Sequence, residues 1–185
     1  KHKKDDTKEC IVIDAGNMKD GEDRILGEMI SSRGLKPVMA VNTHGHFDHV
    51  GAVKELHEKT LCKVYLHTDD LMLPENFTSG SLFYTHEYGE GDVLELAGLT
   101  IKVMHTPGHT EGSVCLLVDD VIFSGDTLFC HSCGRTDLPG GDPDAIMKSL
   151  ARLKALEGDY RVLPGHNRAT TLAIEREYNP FMKKV

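Results

Sequence analysis

The stretch THGHFDHVGA, from Thr43 to Ala52, sets His44, His46, Asp48 and His49 within six positions. Imidazole nitrogens and carboxylate oxygens are ligand atoms for zinc, iron and manganese, so this crowding points to metal chemistry. His44 and His46 stand two apart in a segment expected to be extended, which projects both side chains the same way. Asp48 and His49 follow where the chain is expected to turn into a helix, from which they can point back into the same pocket. Three later apolar segments close on similar residues: His109 in HTPGHTEGS, Asp126 in FSGDTLF and His166 in LPGHN. These seven nitrogen and oxygen donors are too many for one tetrahedral ion and suit two divalent ions sharing a carboxylate. Any one of the histidines alone reads as an ordinary surface or core residue; the repeated clusters at segment ends carry the metal reading. His2, His57, His67, His86, His105 and His131 lack such a pattern and are read as ordinary histidines.

The elements that must position these residues alternate at first and then run as strands. CIVIDAG is an apolar run ended by Gly16, and EDRILGEMISSRG places Ile25, Leu26, Met29 and Ile30 on one helical face before Gly34. PVMAVNTH, VGAVKELHEKT and CKVYLH then complete a βαβαβ opening. Residues 68–90 read as a loop-rich excursion of the kind that borders sites. DVLEL, TIKVMH, SVCLLV and VIFSGD predict four strands in antiparallel hairpins. A helix over PDAIMKSLARLKALEG is started by Pro143 and closed by Gly158, followed by a strand at YRVLPGH and a helix at TLAIEREYN.

Composition bounds the function classes. A chain of 185 residues suits one domain, 1–185. Its formal charge of −8 repels phosphate backbones, which disfavours nucleic acid. No apolar run approaches the roughly 18 residues that span a bilayer, and KHKKDD is not followed by the apolar core of a signal peptide, so no membrane and a cytoplasmic location are expected. Five scattered cysteines suit reduced thiols better than a disulfide framework. A first residue of Lys rather than Met suggests a processed or trimmed chain.

With these motifs in view, the chain resembles the metallo-β-lactamase superfamily, and within it the short glyoxalase II-like (hydroxyacylglutathione hydrolase-like) hydrolases. The resemblance runs from IDAG through NTHGHFDHVGA, TPGHTEGSV, FSGDTLF and GRTDLPGGD to LPGHN and NPF. It implies an α/β fold, an αββα sandwich of two mixed β-sheets flanked by helices, with the ligands on loops at one edge. It assigns His44, His46 and His109 to one ion, Asp48, His49 and His166 to a second, and Asp126 as the bridge, with Asp48 and Asp126 as the catalytic carboxylates. Asp14 in IDAG would hold ligand loops and histidine orientation behind the ligands; a strand-end cap is the alternative. The implied cofactors are two divalent ions, zinc first, with iron or manganese also suited to the donors.

One zinc alone brings the pKa of bound water to about 7, so such a site generates hydroxide near neutral pH and suits hydrolysis of a polarised carbonyl. A thioester substrate would release a thiolate whose conjugate acid has a pKa of about 8.5, with little need of a general acid. In the larger glyoxalase II enzymes a basic residue, a tyrosine and a C-terminal helical domain grip glutathione. Arg135 falls at the basic position as the candidate substrate contact, but Asp137 stands where the tyrosine would be, and the chain ends 19 residues after His166. The fold's first strand also looks absent before VIDAG. The rival function is a persulfide dioxygenase-like oxidoreductase with one iron on His44, His109 and Asp126. A β-lactamase is disfavoured by Asp126 at the bridging position, and a binding module would be expected to have lost ligands. CHSC lacks the second pair that a four-sulfur zinc site needs, and Cys133 falls where relatives commonly carry a cysteine beside the substrate loop, so packing is expected of it, with thiol chemistry as the alternative.

Overall fold

The computed structural model describes residues 8–16, 22–78, 80–96 and 98–185, with the side chains of 22–24 left out. His2 and any strand preceding VIDAG lie outside the described residues. The first half builds β1 (Lys8–Ile13), α1 (Glu22–Ser32), β2 (Leu35–Val41), α2 (Phe47–Val50), α3 (Val53–Thr60) and β3 (Lys63–Leu66). After a 3-10 turn at Thr68–Met72 come α4 (Glu75–Thr78) and β4 (His86–Glu87). The second half runs through β5 (Val93–Leu96), β6 (Leu99–His105), β7 (Val114–Val118) and β8 (Val121–Gly125), then the short hairpin β9 (Leu128–Phe129) and β10 (Ser132–Cys133). It closes with α5 (Pro143–Lys154), β11 (Arg161–Pro164), β12 (Thr170–Thr171), α6 (Leu172–Tyr178) and a last 3-10 turn.

Two sheets follow from the two halves. The first has the order β1-β2-β3-β4, and the second the order β12-β11-β8-β7-β6-β5. Only the second is mixed: β11 runs parallel to β8 and its other pairs are antiparallel. Among the described residues the pairs of the first sheet are all parallel. The cause is connectivity, because each of its strands is reached by a crossover rather than a hairpin.

Alternation along the strands makes the layers. Ile11, Ile13, Met39, Val41 and Tyr65 face Ile101, Val103, Val114 and Leu116 across the gap between the sheets. Their chain neighbours Val12, Ala40 and Val64 face outward under α1 and α3, while Cys115, Ile122 and Val162 face outward under α5 and α6. The result is the αββα order. Among the described side chains of α1, Leu26 and Ile30 pack against the core, while Ile25 and Met29, expected on the buried face, are 56% and 46% exposed. A two-residue stripe suffices for a helix that covers one edge of a sheet.

α5 begins where expected. Asp142 caps it by accepting from the N–H groups of Asp144 and Ala145 at 2.8 and 3.0 Å, with Pro143 in the first turn. It ends at Lys154, four residues before the expected Gly158. Arg176 explains the early stop, since its guanidinium donates to the carbonyls of Lys154, Leu156 and Gly158 and satisfies groups that a continuing helix would use. Ile146, Leu150 and Leu153 form its buried stripe. Among the described residues no helix is long and apolar enough to cross a membrane, and all five cysteines are free. Leu150→Ala empties a fully buried site and is expected to cost about 3 kcal/mol, read in urea as a lower midpoint with an unchanged slope.

Candidate metal centre

The ligand-type residues collect where strands of both sheets end. β2 delivers Asn42 and Thr43, then His44, Gly45 and His46; β6 leads to His109, β8 to Asp126 and β11 to His166. α2 starts after His46, whose carbonyl accepts from His49 N–H at 2.9 Å, and so returns Asp48 and His49 to the same place. Two loops from different sheets are tied directly by Val114 N–H to the Thr43 carbonyl at 2.9 Å.

All seven sequence-predicted donors come together. Donor atoms of His44, His46 and His109 lie within 4.8 Å of one another, as do those of His44, His49 and Asp126, and those of Asp48, His49 and His166. His46 Nδ1 is 2.9 Å from His109 Nε2. One oxygen of Asp126 is 3.4 Å from His49 Nε2; the other is 3.4 Å from His109 Nε2 and 3.5 Å from His166 Nε2. Asp48 Oδ2 lies 3.0 Å from His166 Nε2. Burial divides the set, for His44, His46, His49, His109 and Asp126 are buried while the His166 side chain is 40% exposed.

Hydrogen bonds at the back of three rings set which nitrogen faces inward. Asp14 takes His49 Nδ1 at 2.9 Å, and the Arg135 carbonyl takes His109 Nδ1 at 2.8 Å. Thr43 Oγ1 donates to Asp14 at 2.8 Å and lies 3.2 Å from His44 Nδ1, from which it accepts. Acceptors at Nδ1 put the proton there and leave each Nε2 lone pair free. Asp14, at φ 53, also accepts Thr43 N–H at 2.6 Å, so it holds both the ligand loop and a ring.

Several buried donor atoms of the cluster lack protein partners. His44 Nε2, His46 Nε2, His49 Nε2 and Asp126 Oδ1 are buried without a hydrogen bond, an arrangement that is costly unless a cation completes it. Burial, helped by the neighbouring rings, pushes His44 well below its ordinary pKa and His46 down to about 4, and lowers His109. These rings are therefore neutral, as ligands must be. His49 differs: against the lowering effect of burial, the carboxylates of Asp14 and Asp126 raise it to about 10. At 3.4 Å its contact with Asp126 is too long for a well-formed hydrogen bond and close enough for strong attraction. A cation among the same carboxylates substitutes for that proton. The orphaned atoms and the His/Asp chemistry of the donors thus fit divalent metal ions.

Gly165 is a steric requirement of this packing. A Cβ there would stand 2.4 Å from Asp126 Oδ1 and 2.5 Å from His49 Cε1, which explains why the last ligand follows a glycine.

Sequence reasoning missed Asp70. Its fully buried carboxylate accepts Gly45 N–H at 2.6 Å, Thr110 Oγ1 at 3.1 Å and Gly112 N–H at 2.7 Å, joining the loop of His44 and His46 to that of His109. Burial raises its pKa while these donors pull it back. Its partners are mostly backbone groups more than twenty positions away, so no side-chain motif marks it. His67, read as lacking a partner, stacks on His105 at 4.3 Å and 13° with Asp69 alongside. Parallel rings do not aim their in-plane lone pairs at one ion.

Two cavities flank the centre and share Asp48 and His166. One, of about 580 Å³, is walled by Phe47, Phe77, Phe129, Leu138, Arg135 and Asn167. The other, of about 520 Å³, lies between the sheets beside Ile11, Ile13, Phe123 and Leu163. Cys133 borders the first; burial raises its thiol to about 11, which suits packing rather than thiolate chemistry.

Residues 5–166 match the metallo-beta-lactamase superfamily. The chain belongs to that superfamily. It is similar to hydroxyacylglutathione hydrolase GloC of Haemophilus influenzae, 30% identical, with 96% of this chain and 89% of that protein covered. It is also similar to the crystal structure of TTHA1623 in a di-iron-bound form, at 39% identity and TM-score 0.79 over 91% of this chain and 87% of that one. The crystal structure of BLEG-1 B3 metallo-beta-lactamase matches with TM-score 0.83 and 33% identity over 95% and 89%. This superfamily membership supports a metal-dependent hydrolase.

Two substitutions probe the supports of the centre. Gly165→Ala is expected to displace His49 and Asp126 and lower metal content, measured by atomic absorption, with the fold retained by circular dichroism. Asp70→Ala leaves the N–H groups of Gly45 and Gly112 unpartnered and is expected to cost about 3 kcal/mol in denaturant titration, with reduced metal content.

Proposed function

We propose that the protein hydrolyses thioesters of the hydroxyacylglutathione type at a two-ion centre. His44, His46 and His109 hold one ion, Asp48, His49 and His166 the other, and Asp126 is shared. The observation that carries the reading is the convergence of seven donors, with four buried atoms of those residues left without protein partners. Zinc, iron and manganese all suit these donors, and the di-iron form of TTHA1623 supports a pair of ions. Bound there, the ions supply a hydroxide near neutral pH and polarise the carbonyl under attack.

The chain's own residues do the rest. Asp14, Thr43 and the Arg135 carbonyl fix the ring orientations of His49, His44 and His109. The apolar wall of Phe47, Phe77, Phe129 and Leu138 excludes water around the acyl group. A thiolate leaves without a proton from the protein, which agrees with Cys133 being held protonated in the wall. The likeness to GloC supports the thioester class.

The test is thiol release from S-lactoylglutathione under anaerobic conditions by protein with its native metals. Asp126→Ala is expected to lose metal and turnover together, the rate falling by about a hundredfold or more. Full metal stoichiometry and full turnover in that variant would remove the shared carboxylate. Oxygen consumption on a persulfide without thiol release would move the reaction to a single-iron dioxygenase on His44, His109 and Asp126, and faster opening of a β-lactam would move it to that substrate class.

A further inference from the structure

Three of the chain's six phenylalanines, Phe47, Phe77 and Phe129, line the cavity over the centre. They come from three separate elements, α2, α4 and β9. The other three, Phe83, Phe123 and Phe181, pack against the hydrophobic core. Among the described residues the cavity phenylalanines belong to no core cluster, and Phe47 is 39% exposed. Apolar rings that the core does not use, gathered at one opening, gain from being covered by a ligand. Two of them also stand beside donors of the centre. The Phe77 ring centroid is 6.3 Å from that of His46, and the Phe129 centroid is 6.1 Å from that of His166 at an interplanar angle of 73°. A substituent on a carbonyl held at the centre therefore projects into space that aromatic rings border. Ser132, Arg135 and Asn167 line the same cavity and leave polar contacts for the thiol carrier.

We propose that Phe77 and Phe129 are specificity-determining residues that favour an α-hydroxyacyl group bearing an aryl substituent, such as mandeloyl, over the small lactoyl group. This rests on the thioester reading and deepens it: the substrate stays a hydroxyacylglutathione, and the wall selects its acyl side chain. A phenyl substituent gains buried area and edge-to-face contact with the wall rings. The lactoyl methyl fills little of a cavity of about 580 Å³.

Binding of the product acids separates this selection from the reaction. Metal-loaded wild type and a Phe77→Leu/Phe129→Leu double variant, matched for metal content, are titrated calorimetrically with lactate, mandelate and hexahydromandelate. These α-hydroxy acids share one metal-binding end and differ in a methyl, phenyl or cyclohexyl group. Wild type is expected to bind mandelate about tenfold tighter than lactate. It should bind mandelate about threefold tighter than hexahydromandelate, whose cyclohexyl ring has similar bulk and no aromatic face. The double variant should lose the preference for phenyl over cyclohexyl, and the wild-type comparison stands even if that variant does not fold. Equal wild-type affinity for lactate and mandelate, no wild-type preference for phenyl over cyclohexyl, or no binding of any acid overturns the proposal. An unchanged phenyl preference in a folded double variant overturns it as well. Thiol release from the lactoyl and mandeloyl thioesters of glutathione is read separately. Its absence alongside the expected binding pattern refutes the thioester reaction and leaves the aryl selection standing, whereas release without an aryl preference does the reverse.

Discussion

Convergent lone pairs in a water-poor site repel one another, and the edge of this sandwich is organised around holding them together. The buried Nε2 atoms of His44 and His49 have no hydrogen-bond partner, and His46 Nδ1 and His109 Nε2 are drawn to hydrogen-bond distance at 2.9 Å. Left to itself such a cluster would spread or take up protons. Desolvation opposes protonation of His44, His46 and His109, so spreading has to be prevented mechanically. Two buried or half-buried carboxylates do this from behind: Asp14 binds Thr43 and His49, and Asp70 binds Gly45, Thr110 and Gly112. Their hydrogen bonds fix the loops before any ion arrives, which is the preorganisation that metal affinity requires.

The sheets make this possible by ending at one edge. The parallel sheet contributes the loop after β2, while the mixed sheet contributes the loops after β6, β8 and β11. Neither sheet holds a full set of ligands, so the centre exists only where they pack. The bond from Val114 to Thr43 stitches this seam in its buried interior. The placement of the donors therefore depends on the packing of Val41, Tyr65, Val103 and Val114 between the sheets.

The sequence made the inward-facing groups legible and hid those behind them. His44, His46, Asp48 and His49 announce themselves because four donors in six positions demand a shared partner, and the glycine before His166 reflects a real steric limit. Asp70 left no such mark, since it acts on main-chain N–H groups that every residue carries. The layers were readable from strand alternation and from the Pro143 start of α5. The early end of α5 depends on Arg176, more than twenty residues on, and the parallel order of the first sheet depends on which edge each crossover reaches. Those are tertiary choices, to which local propensity is blind.

Burial also makes the two halves of the centre unequal. His44 is sealed, His46 and His109 are buried but line the larger cavity, and Asp48 and His166 border both cavities, with the His166 ring 40% exposed. A ligand reached by water exchanges more readily than one that must first open a packed core. His49 joins the halves, buried like the first set but placed between Asp14 and Asp126, whose charges give it the strongest pull on a proton or cation in the cluster. Asp126 faces His49 with one oxygen and His109 and His166 with the other. Asp48 and His166, which border both cavities, are therefore the donors of the cluster most open to an arriving ligand, while His44 supplies a fixed, buried frame behind them.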